Sequence, residues 1–287
     1  MLNLFDYKFD KYTSTGNDGI IEKIFNIVGI EGGVFVEFGA WDGIRGSNCR
    51  KLWEEGWSGV FIEAERDKYT SLVSNYRGEA HLPWPWNEDM YTLDRVTCIH
   101  SQVTAEEGSF DMLVRDHIPS SGIDFCSIDI DGLDLEVFEQ FDEHLPKVVC
   151  IEGGQMLPPD HSRITPDVAQ HNIQQSLSVM MRAFEKKGYK LLCTYQDSFF
   201  VKEEFFDKFD VSEDLTQQYL AGLLTHHRRL PWILHMVENV GLSNPIISMI
   251  LSNTNFDQYG YQQRKVWAQK EAPLIQRTIG DLMEMAK

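Results

Sequence analysis

Residues 33–43 read Gly33-Val34-Phe35-Val36-Glu37-Phe38-Gly39-Ala40-Trp41-Asp42-Gly43. They predict an apolar strand that ends at Phe38 and runs into a turn that contains glycines. Only a residue without a Cβ readily adopts the backbone angles of such a turn and allows a ligand to approach closely. A helix follows at Ser47-Asn48, and a second apolar strand ends at Glu63. This order is typical of an open α/β sheet with a nucleotide pocket at the carboxyl ends of its strands.

The glycine spacing narrows the kind of nucleotide pocket. The turn has the pattern E-x-G-x-x-x-G, which differs from the G-x-G-x-x-G of dinucleotide-binding proteins, and it contains no lysine of the P-loop type. Glu63 closes the second strand, where a carboxylate can accept hydrogen bonds from both hydroxyls of a ribose. We therefore expect Glu63 to contact the sugar of a nucleoside.

The composition excludes several classes of partner. Of the 287 residues, 43% are hydrophobic, enough for a substantial core. The formal charge of −18 repels nucleic acid and anionic membranes, so we expect neither as a partner. The N-terminus lacks the features of a signal peptide, and no apolar run approaches the ~20 residues that span a bilayer. The sequence therefore predicts a soluble, cytoplasmic protein whose partner is a small molecule or a glycan precursor.

The cysteines favour buried thiols over disulfides or a zinc site. There are five, an odd number, and no C-x-x-C pair occurs among them. Four of the five lie in apolar, strand-like runs, where a reduced thiol behaves as a small hydrophobic group. The cysteines are Cys49, Cys98, Cys126, Cys150 and Cys193.

Strands and helices alternate along the first two thirds of the chain, which predicts a mostly parallel sheet covered by helices on both faces. The predicted strands are 34–38, 59–63, 96–100, 123–128 and 148–151, with a terminal antiparallel hairpin of 189–193 and 198–201. The predicted helices are 17–28, 47–53, 67–77, 135–141 and 165–187. Residues 81–91 contain Pro83-Trp84-Pro85-Trp86, which predicts a loop, either over the substrate or plugging the sheet edge.

The pattern changes beyond Lys202. Residues 215–251 and 259–286 have helical periodicity and no convincing strand. We therefore predict two units, a sheet domain over residues 1–203 and a helical extension over residues 204–287. The extension is expected to form a lid, a wall that selects the acceptor, or a surface through which a homo-oligomer assembles.

Acidic residues stand at the carboxyl ends of the predicted strands: Glu37, Glu63, Asp129, Asp131 and Glu152. Asp129 and Asp131 alternate along extended backbone, so their side chains point the same way. Carboxylates on apolar strands are costly to bury unless they are paired or functional. Open α/β sheets bind their ligands at this edge. The five acids are therefore candidate functional residues.

Three segments, in combination and order, resemble the FkbM-like branch of the S-adenosylmethionine-dependent methyltransferases. They are VFVEFGAWDGIRGSNCRKLWEEGWSGVFIEAE, IDFCSIDIDGLDLEVF and VVCIEGG, and the resemblance covers residues 14–201. It implies a class I methyltransferase fold, which is a Rossmann-like, mostly parallel seven-stranded sheet with an antiparallel last strand. Members of this branch often accompany polysaccharide and secondary-metabolite genes. The helical extension lies outside the resemblance.

The resemblance also implies which residues bind the cofactor, S-adenosylmethionine. The implied residues follow the first three strands: Glu37, Gly39, Ala40, Asp42, Gly43, Ser47, Asn48, Glu63 and Ser101. The glycine turn would line the methionine part, and Ser47 with Asn48 would hold its carboxylate. Glu63 would bind the ribose, and the turn at Ser101 would approach the adenine. The sequence departs from the class pattern in two places, since Trp41 replaces the middle glycine and the third strand lacks its usual acid.

A sugar hydroxyl is a poor nucleophile and loses its proton to a base or to a metal-assisted step. Asp129, Asp131 and Glu152 are candidates for the base, for orienting acids, or for the oxygen ligands of a hard divalent cation. His161 is the candidate for a base that works at neutral pH. The leading hypothesis is O-methylation of a sugar hydroxyl, in a nucleotide-sugar or in a glycan precursor such as that of a surface polysaccharide.

Three alternatives stay open. The acceptor could be an amine or a phosphorus-containing headgroup in the same kind of pathway. The chain could be an NAD-type Rossmann oxidoreductase, although the glycine spacing disfavours it. It could also be an inactive binding module, although an idle site has no reason to align five carboxylates.

Overall fold

The computed structural model describes residues 2–78, 88–252, 254 and 264–286. These residues form one sheet of eight strands with helices on both faces. The strands are β1 (Val34–Phe38), β2 (Ser58–Glu63), β3 (Met90–Thr92), β4 (Val96–His100), β5 (Phe125–Ile128), β6 (Val148–Glu152), β7 (Tyr189–Thr194) and β8 (Asp197–Lys202). The helices are α1 (Asn17–Val28), α2 (Arg50–Glu54), α3 (Arg66–Tyr76), α4 (Ser109–Val114), α5 (Asp134–Glu139), α6 (Pro166–Ala169), α7 (Leu177–Glu185), α8 (Glu203–Phe206), α9 (Leu215–Thr225), α10 (Leu230–Asn239), α11 (Pro245–Ser252) and α12 (Arg264–Met285).

The strand order across the sheet is β3-β4-β2-β1-β5-β6-β8-β7. Strands β4, β2, β1, β5 and β6 are parallel, whereas β8 runs antiparallel to both β6 and β7. Without β3, the order is 3-2-1-4-5-7-6 with an antiparallel last strand, which is the sheet that the sequence resemblance implies. The predicted hairpin at the end of the sheet is therefore confirmed.

Strand β3 corrects the prediction of seven strands. It pairs antiparallel with β4 and makes the sheet mixed at this edge. Its three residues follow the tract Pro83-Trp84-Pro85-Trp86, which favoured a loop because proline donates no backbone hydrogen bond. That tract lies outside the described residues. The strand itself is too short for a period-two pattern to reveal.

Apolar side chains cover both faces of the sheet. All five residues of β1 are buried, as expected for a parallel strand with helices on both sides. Successive side chains enter opposite cores, since Val36 belongs to one buried cluster and Phe35 to the other. The first cluster continues into the C-terminal helices through Leu223, Ile233 and Ile279. The helical extension therefore shares its core with one face of the sheet.

The predicted helix over residues 165–187 is wrong in its middle. Helix α6 ends at Ala169, and α7 begins only at Leu177. Between them Asn172 has a left-handed backbone with φ of 58°, and Ser176 pairs with Gly154 in an isolated β-bridge. The apolar residues on both sides of the break have helical spacing, which predicted one continuous helix. The break places the polar side chains of Asn172 and Gln174 at the carboxyl edge of the sheet.

Two smaller predictions concern the cysteines and the membrane. All five cysteines are buried free thiols, as predicted. Among the helices that the structure describes, none has both the length and the apolar character required to cross a bilayer.

Candidate functional site

A cavity of about 700 Å³ lies at the carboxyl ends of β1, β2, β4 and β5. Hydrogen bonds hold these strand ends together, from the Ala40 N–H to the Ile62 carbonyl (3.2 Å) and from the Asp129 N–H to the Phe38 carbonyl (3.3 Å). Pockets for small molecules are typically about 300–1,000 Å³ in volume. Nine of the predicted site residues line the cavity: Glu37, Gly39, Ala40, Ser47, Asn48, Glu63, Ser101, Asp129 and Asp131.

Gly39 allows β1 to meet the end of β5. Its φ of 71° is in the left-handed region, and a Cβ at this position would lie 1.7 Å from the carbonyl oxygen of Asp129. A side chain would therefore collide with backbone, which cannot rotate away. The glycine predicted for ligand approach has a structural role as well, because it sets the position of Asp129.

Glu37 is buried beneath the start of α2, with 4% of its surface exposed. Its carboxylate accepts hydrogen bonds from the Ser47 hydroxyl (2.5 Å) and from the Asn48 N–H (2.8 Å). Burial raises the pKa of Glu37 from 4.5 to about 7, against the opposing effect of these hydrogen bonds. Ser47 in turn accepts from the N–H of Arg50 (3.0 Å), the first residue of α2, although the N-cap position is Cys49 and not Ser47 as predicted.

The raised pKa of Glu37 makes its contribution to stability depend on pH. Between pH 4.5 and 7 the folded carboxyl keeps its proton while the unfolded one loses it, so the free energy of unfolding falls as the pH rises through this range. We expect Glu37→Gln to remove this component. Urea titrations at several pH values should show that the stability of the parent relative to Glu37→Gln decreases from pH 4.5 to 7 and is constant above. A difference that does not vary with pH would contradict the assignment.

Asn48 is less available to a ligand than predicted. Its side-chain amide donates to the Ser127 hydroxyl (2.9 Å), and its amide oxygen accepts from the side chain of Asn17 (2.9 Å). Asn17 also donates to Asp197 (2.8 Å), so a buried polar network joins α1 to the floor of the sheet edge. Both ends of the Asn48 amide are therefore already hydrogen-bonded within the protein.

Glu63 ends β2 and orders the two loops around it. Its two carboxylate oxygens accept the N–H groups of Trp41 and Glu65, each at 2.7 Å. Only 6% of the residue is exposed, and it lines the cavity. A carboxylate oxygen accepts more than one hydrogen bond. Glu63 therefore keeps the capacity to bind the hydroxyls of a ligand.

Asp129, Asp131 and Glu152 form a cluster in which one oxygen from each residue lies within 4.8 Å of the others. The parallel pairing of Ile128 with Ile151 places Asp129 and Glu152 side by side at the ends of β5 and β6. Desolvation by the surrounding protein raises the pKa of Asp129 and of Glu152 well above the usual range, and repulsion from neighbouring carboxylates adds to this effect. Solvent reaches Asp129 and Asp131 through the cavity, so both are accessible to a substrate.

Asp134 holds the loop that carries Asp131. Its carboxylate accepts the N–H groups of Ile130 and Gly132, each at 2.9 Å. Asp131 itself has a left-handed φ of 60°. This role of Asp134 is not among the predictions from the sequence, although an acid in the first turn of a helix that follows a glycine is a usable signal.

Two amide side chains from the break between α6 and α7 orient the cluster. Asn172 donates to Asp131 (2.8 Å), and Gln174 donates to Glu152 (2.6 Å). Gln174 also donates to the Asn172 amide oxygen (2.8 Å), which couples the two contacts. Sequence reasoning missed both residues because it assigned them to a continuous helix.

Four predicted residues lie outside the cavity lining. The Asp42 carboxylate accepts two N–H groups of its own turn, and the Gly43 carbonyl accepts a hydrogen bond from the hydroxyl of Tyr76 on α3. Their predicted contacts with a cofactor therefore gain no support from the structure. His161 is not among the described residues that line the cavity, and its Nδ1 lies 2.6 Å from the backbone carbonyl of Ser162. Glu152 lines an adjoining cleft and reaches the cavity through the carboxylate cluster.

The cavity is acidic. Of the described residues that line it, five are acidic and one, Arg45, is basic, and burial raises the pKa of two of the acids, Glu37 and Asp129. A site of this charge attracts cationic ligands and repels phosphate groups. Its chemistry suits a positively charged group beside a hydroxyl or amine that must lose a proton.

Comparisons with known proteins give similarity at the level of the fold. No family model matches the sequence, and no curated protein matches it. Among solved structures, the chain is similar to a SAM-dependent methyltransferase from Aquifex aeolicus (12% identity, 63% of this chain and 86% of that chain, TM-score 0.38). It is also similar to M. capricolum TrmK in complex with S-adenosyl-homocysteine (11% identity, 90% of this chain and 96% of that chain, TM-score 0.39). A third similar structure is a SAM-dependent methyltransferase from Geobacter sulfurreducens in complex with S-adenosyl-L-homocysteine (13% identity, 80% of this chain and 81% of that chain, TM-score 0.37). Such low identities and TM-scores do not assign an activity to this chain.

Proposed function

We propose that the protein is an S-adenosylmethionine-dependent O-methyltransferase that acts on a sugar hydroxyl. The observation that carries this proposal is the convergence of strand-end carboxylates on one cavity of a sheet with the order 3-2-1-4-5-7-6. Glu63, at the end of β2, and Asp129 and Asp131, after the end of β5, all line that cavity. The resemblance in sequence to the FkbM-like branch supports the same assignment.

The residues present fit the cofactor. The volume of about 700 Å³ accommodates a nucleoside with an attached amino acid and leaves space for an acceptor. Glu63 offers acceptors for ribose hydroxyls, and the acidic lining suits a sulfonium. S-adenosylmethionine supplies an electrophilic methyl group when it is bound. The protein must then align the acceptor with that group and remove the acceptor's proton.

The carboxylate cluster is placed to take that proton. A base works best when its pKa lies near the operating pH, and the raised pKa of Asp129 and Glu152 moves these carboxyls in that direction. Asp131, held by Asn172, orients the acceptor hydroxyl beside them. The proposed base is therefore this cluster, whereas the sequence predicted His161.

The same three carboxylates also fit a hard divalent cation. Oxygen ligands from several carboxylates are the ones that Mg²⁺ and Ca²⁺ prefer. A cation held by Asp129, Asp131 and Glu152 would offset their mutual repulsion and would lower the pKa of an acceptor hydroxyl bound to it. Direct proton removal and metal assistance thus use the same residues, and a chelator separates them.

The acidic lining bears on the alternative acceptors. It disfavours a phosphate near the cluster, so the diphosphate of a nucleotide-sugar would lie towards Arg45. It also favours a small acceptor over RNA, in agreement with the net charge of −18. A protonated amine would be attracted to the cluster, which makes N-methylation the second candidate. A dinucleotide enzyme is disfavoured because its sheet order, 3-2-1-4-5-6, lacks an antiparallel last strand.

Ligand binding and methyl transfer test the proposal. S-adenosylhomocysteine should raise the melting temperature, whereas NAD should not. Glu63→Ala should remove most of this shift because the ribose acceptors are lost, whereas Glu185→Ala, an exposed acid on α7, should leave it unchanged. A screen of neutral sugars, nucleotide-sugars and amines with a labelled methyl donor should then identify the acceptor. Stabilisation by NAD alone would refute the proposal.

A further inference from the structure

Trp41 adopts a backbone conformation that tryptophan rarely takes. Its φ is 52°, in the left-handed region, and it lies between two glycines of the same turn, Gly39 and Gly43. A glycine at this position would adopt the same angles without strain. Strained residues cluster at sites where the side chain has a function. The indole of Trp41 therefore needs an explanation other than the stability of the turn.

Contacts fix both the backbone and the ring of Trp41. Its N–H donates to the Glu63 carboxylate at 2.7 Å, the group proposed to bind the ribose. The ammonium of Lys68, on α3, lies 3.6 Å from the centre of the ring and covers one face of it. Such a cation–π contact orients the ring. The tryptophan nevertheless keeps 45% of its surface exposed, and it lines the cavity.

We propose that Trp41 is a binding residue for the adenosine part of the cofactor. This inference rests on the proposed function. The backbone of Trp41 contacts Glu63 and the tryptophan lines the same cavity, so a ribose held by that carboxylate places its base within the reach of the ring. Aromatic rings bind nucleobases by stacking, whichever base is present. The part of the loop after β4 that lines the cavity, residues 101–105, contains no acid for the adenine amino group, which leaves more of the recognition to Trp41.

Two ligands distinguish this role from a general effect on the cavity. S-adenosylhomocysteine contains the nucleoside and the amino acid, whereas 5′-methylthioadenosine contains the nucleoside without the amino acid. If Trp41 contacts the nucleoside, Trp41→Gly should weaken both ligands by the same factor, about 10-fold or more. Trp41→Phe keeps an aromatic face and should stay within about threefold of the parent for both ligands. Titration calorimetry measures the four dissociation constants and those of the parent.

Separate measurements test whether the variants fold normally. Because glycine relieves the strained backbone, the melting temperature of ligand-free Trp41→Gly should equal or exceed that of the parent. Lys68→Met leaves Trp41 in place and removes only the cation over the ring, so it should weaken both ligands by the same factor relative to the parent. This variant keeps the inference testable should Trp41→Gly fail to fold.

The outcomes separate the inference from the proposed function. Unchanged affinity of Trp41→Gly for both ligands would overturn the role of Trp41, and so would a loss confined to S-adenosylhomocysteine, which would place the ring at the amino-acid end. Failure of the parent protein to bind either ligand would instead overturn the proposed function.

Discussion

Asp131→Asn should lower the rate of methyl transfer about 100-fold or more, since Asp131 is proposed to orient the acceptor hydroxyl and a small misplacement of a reacting group costs about 10²-fold. The substitution is nearly isosteric, and asparagine tolerates the left-handed φ of 60° at this position. The affinity for S-adenosylhomocysteine should stay within about twofold, because the cofactor contacts proposed here lie at other strand ends. Steady-state kinetics on an acceptor found in the screen, combined with calorimetry, measures both quantities.

Removal of the Asp131 charge should also change the pH profile. Repulsion from Asp131 contributes to the raised pKa of Asp129 and of Glu152. Without that charge the pKa of both falls, so the acid limb of kcat/KM should move to lower pH. Asp167→Asn, an exposed acid on α6, is the matched control and should change neither the rate nor the profile. An unchanged rate in Asp131→Asn would remove this residue from the reaction.

A chelator decides what the cluster does. If the carboxylates act directly as the base, EDTA should leave the parent rate unchanged. If they hold a divalent cation, EDTA should abolish the rate and added Mg²⁺ should restore it. Asp131→Asn should then also weaken Mg²⁺ binding, which calorimetry with the metal alone measures.

Gly39→Ala should have the largest effect on stability. The added Cβ would lie 1.7 Å from the carbonyl oxygen of Asp129, and the φ of 71° is unfavourable for alanine. We expect a loss of roughly 3 kcal/mol or more in the free energy of unfolding, because backbone atoms of β1 and β5 must separate. Urea denaturation followed by circular dichroism measures this loss.

Gly56→Ala is the matched control for this substitution. Gly56 also has a left-handed φ, of 97°, but no atom lies within 4 Å of its added Cβ. It should therefore lose only about 1 kcal/mol, the cost of the backbone conformation. Equal losses in the two variants would show that the contact of Gly39 with the end of β5 does not constrain the fold.

The sequence predicted the parallel part of the sheet because buried parallel strands are continuous apolar runs. It also predicted that acids such as Glu63 and Asp129 meet at one edge, since parallel strands end together. These predictions need only the direction of each strand and the residue that ends it. They do not depend on contacts between distant parts of the chain.

The missed features depend on such contacts. Asn172 and Gln174 lie in the break between α6 and α7, which the spacing of apolar residues did not predict. Strand β3 forms because it pairs with β4, and its own three residues carry no strand pattern. The prediction for His161 rested on residue type alone, and residue type does not fix where a loop lies. Asn17 donates a hydrogen bond to the Asn48 side chain, and this contact joins two segments that are distant in sequence. The residues around either asparagine do not predict it.

The acidic character of the cavity has a consequence for turnover on the proposed function. Negative walls hold a sulfonium more tightly than the neutral thioether that is left once the methyl group has gone. On this basis the cavity binds S-adenosylmethionine more tightly than S-adenosylhomocysteine because of the charge on sulfur, and no conformational change is required. Product inhibition should be correspondingly weak, and it should grow as rising salt screens the walls and narrows the difference between the two.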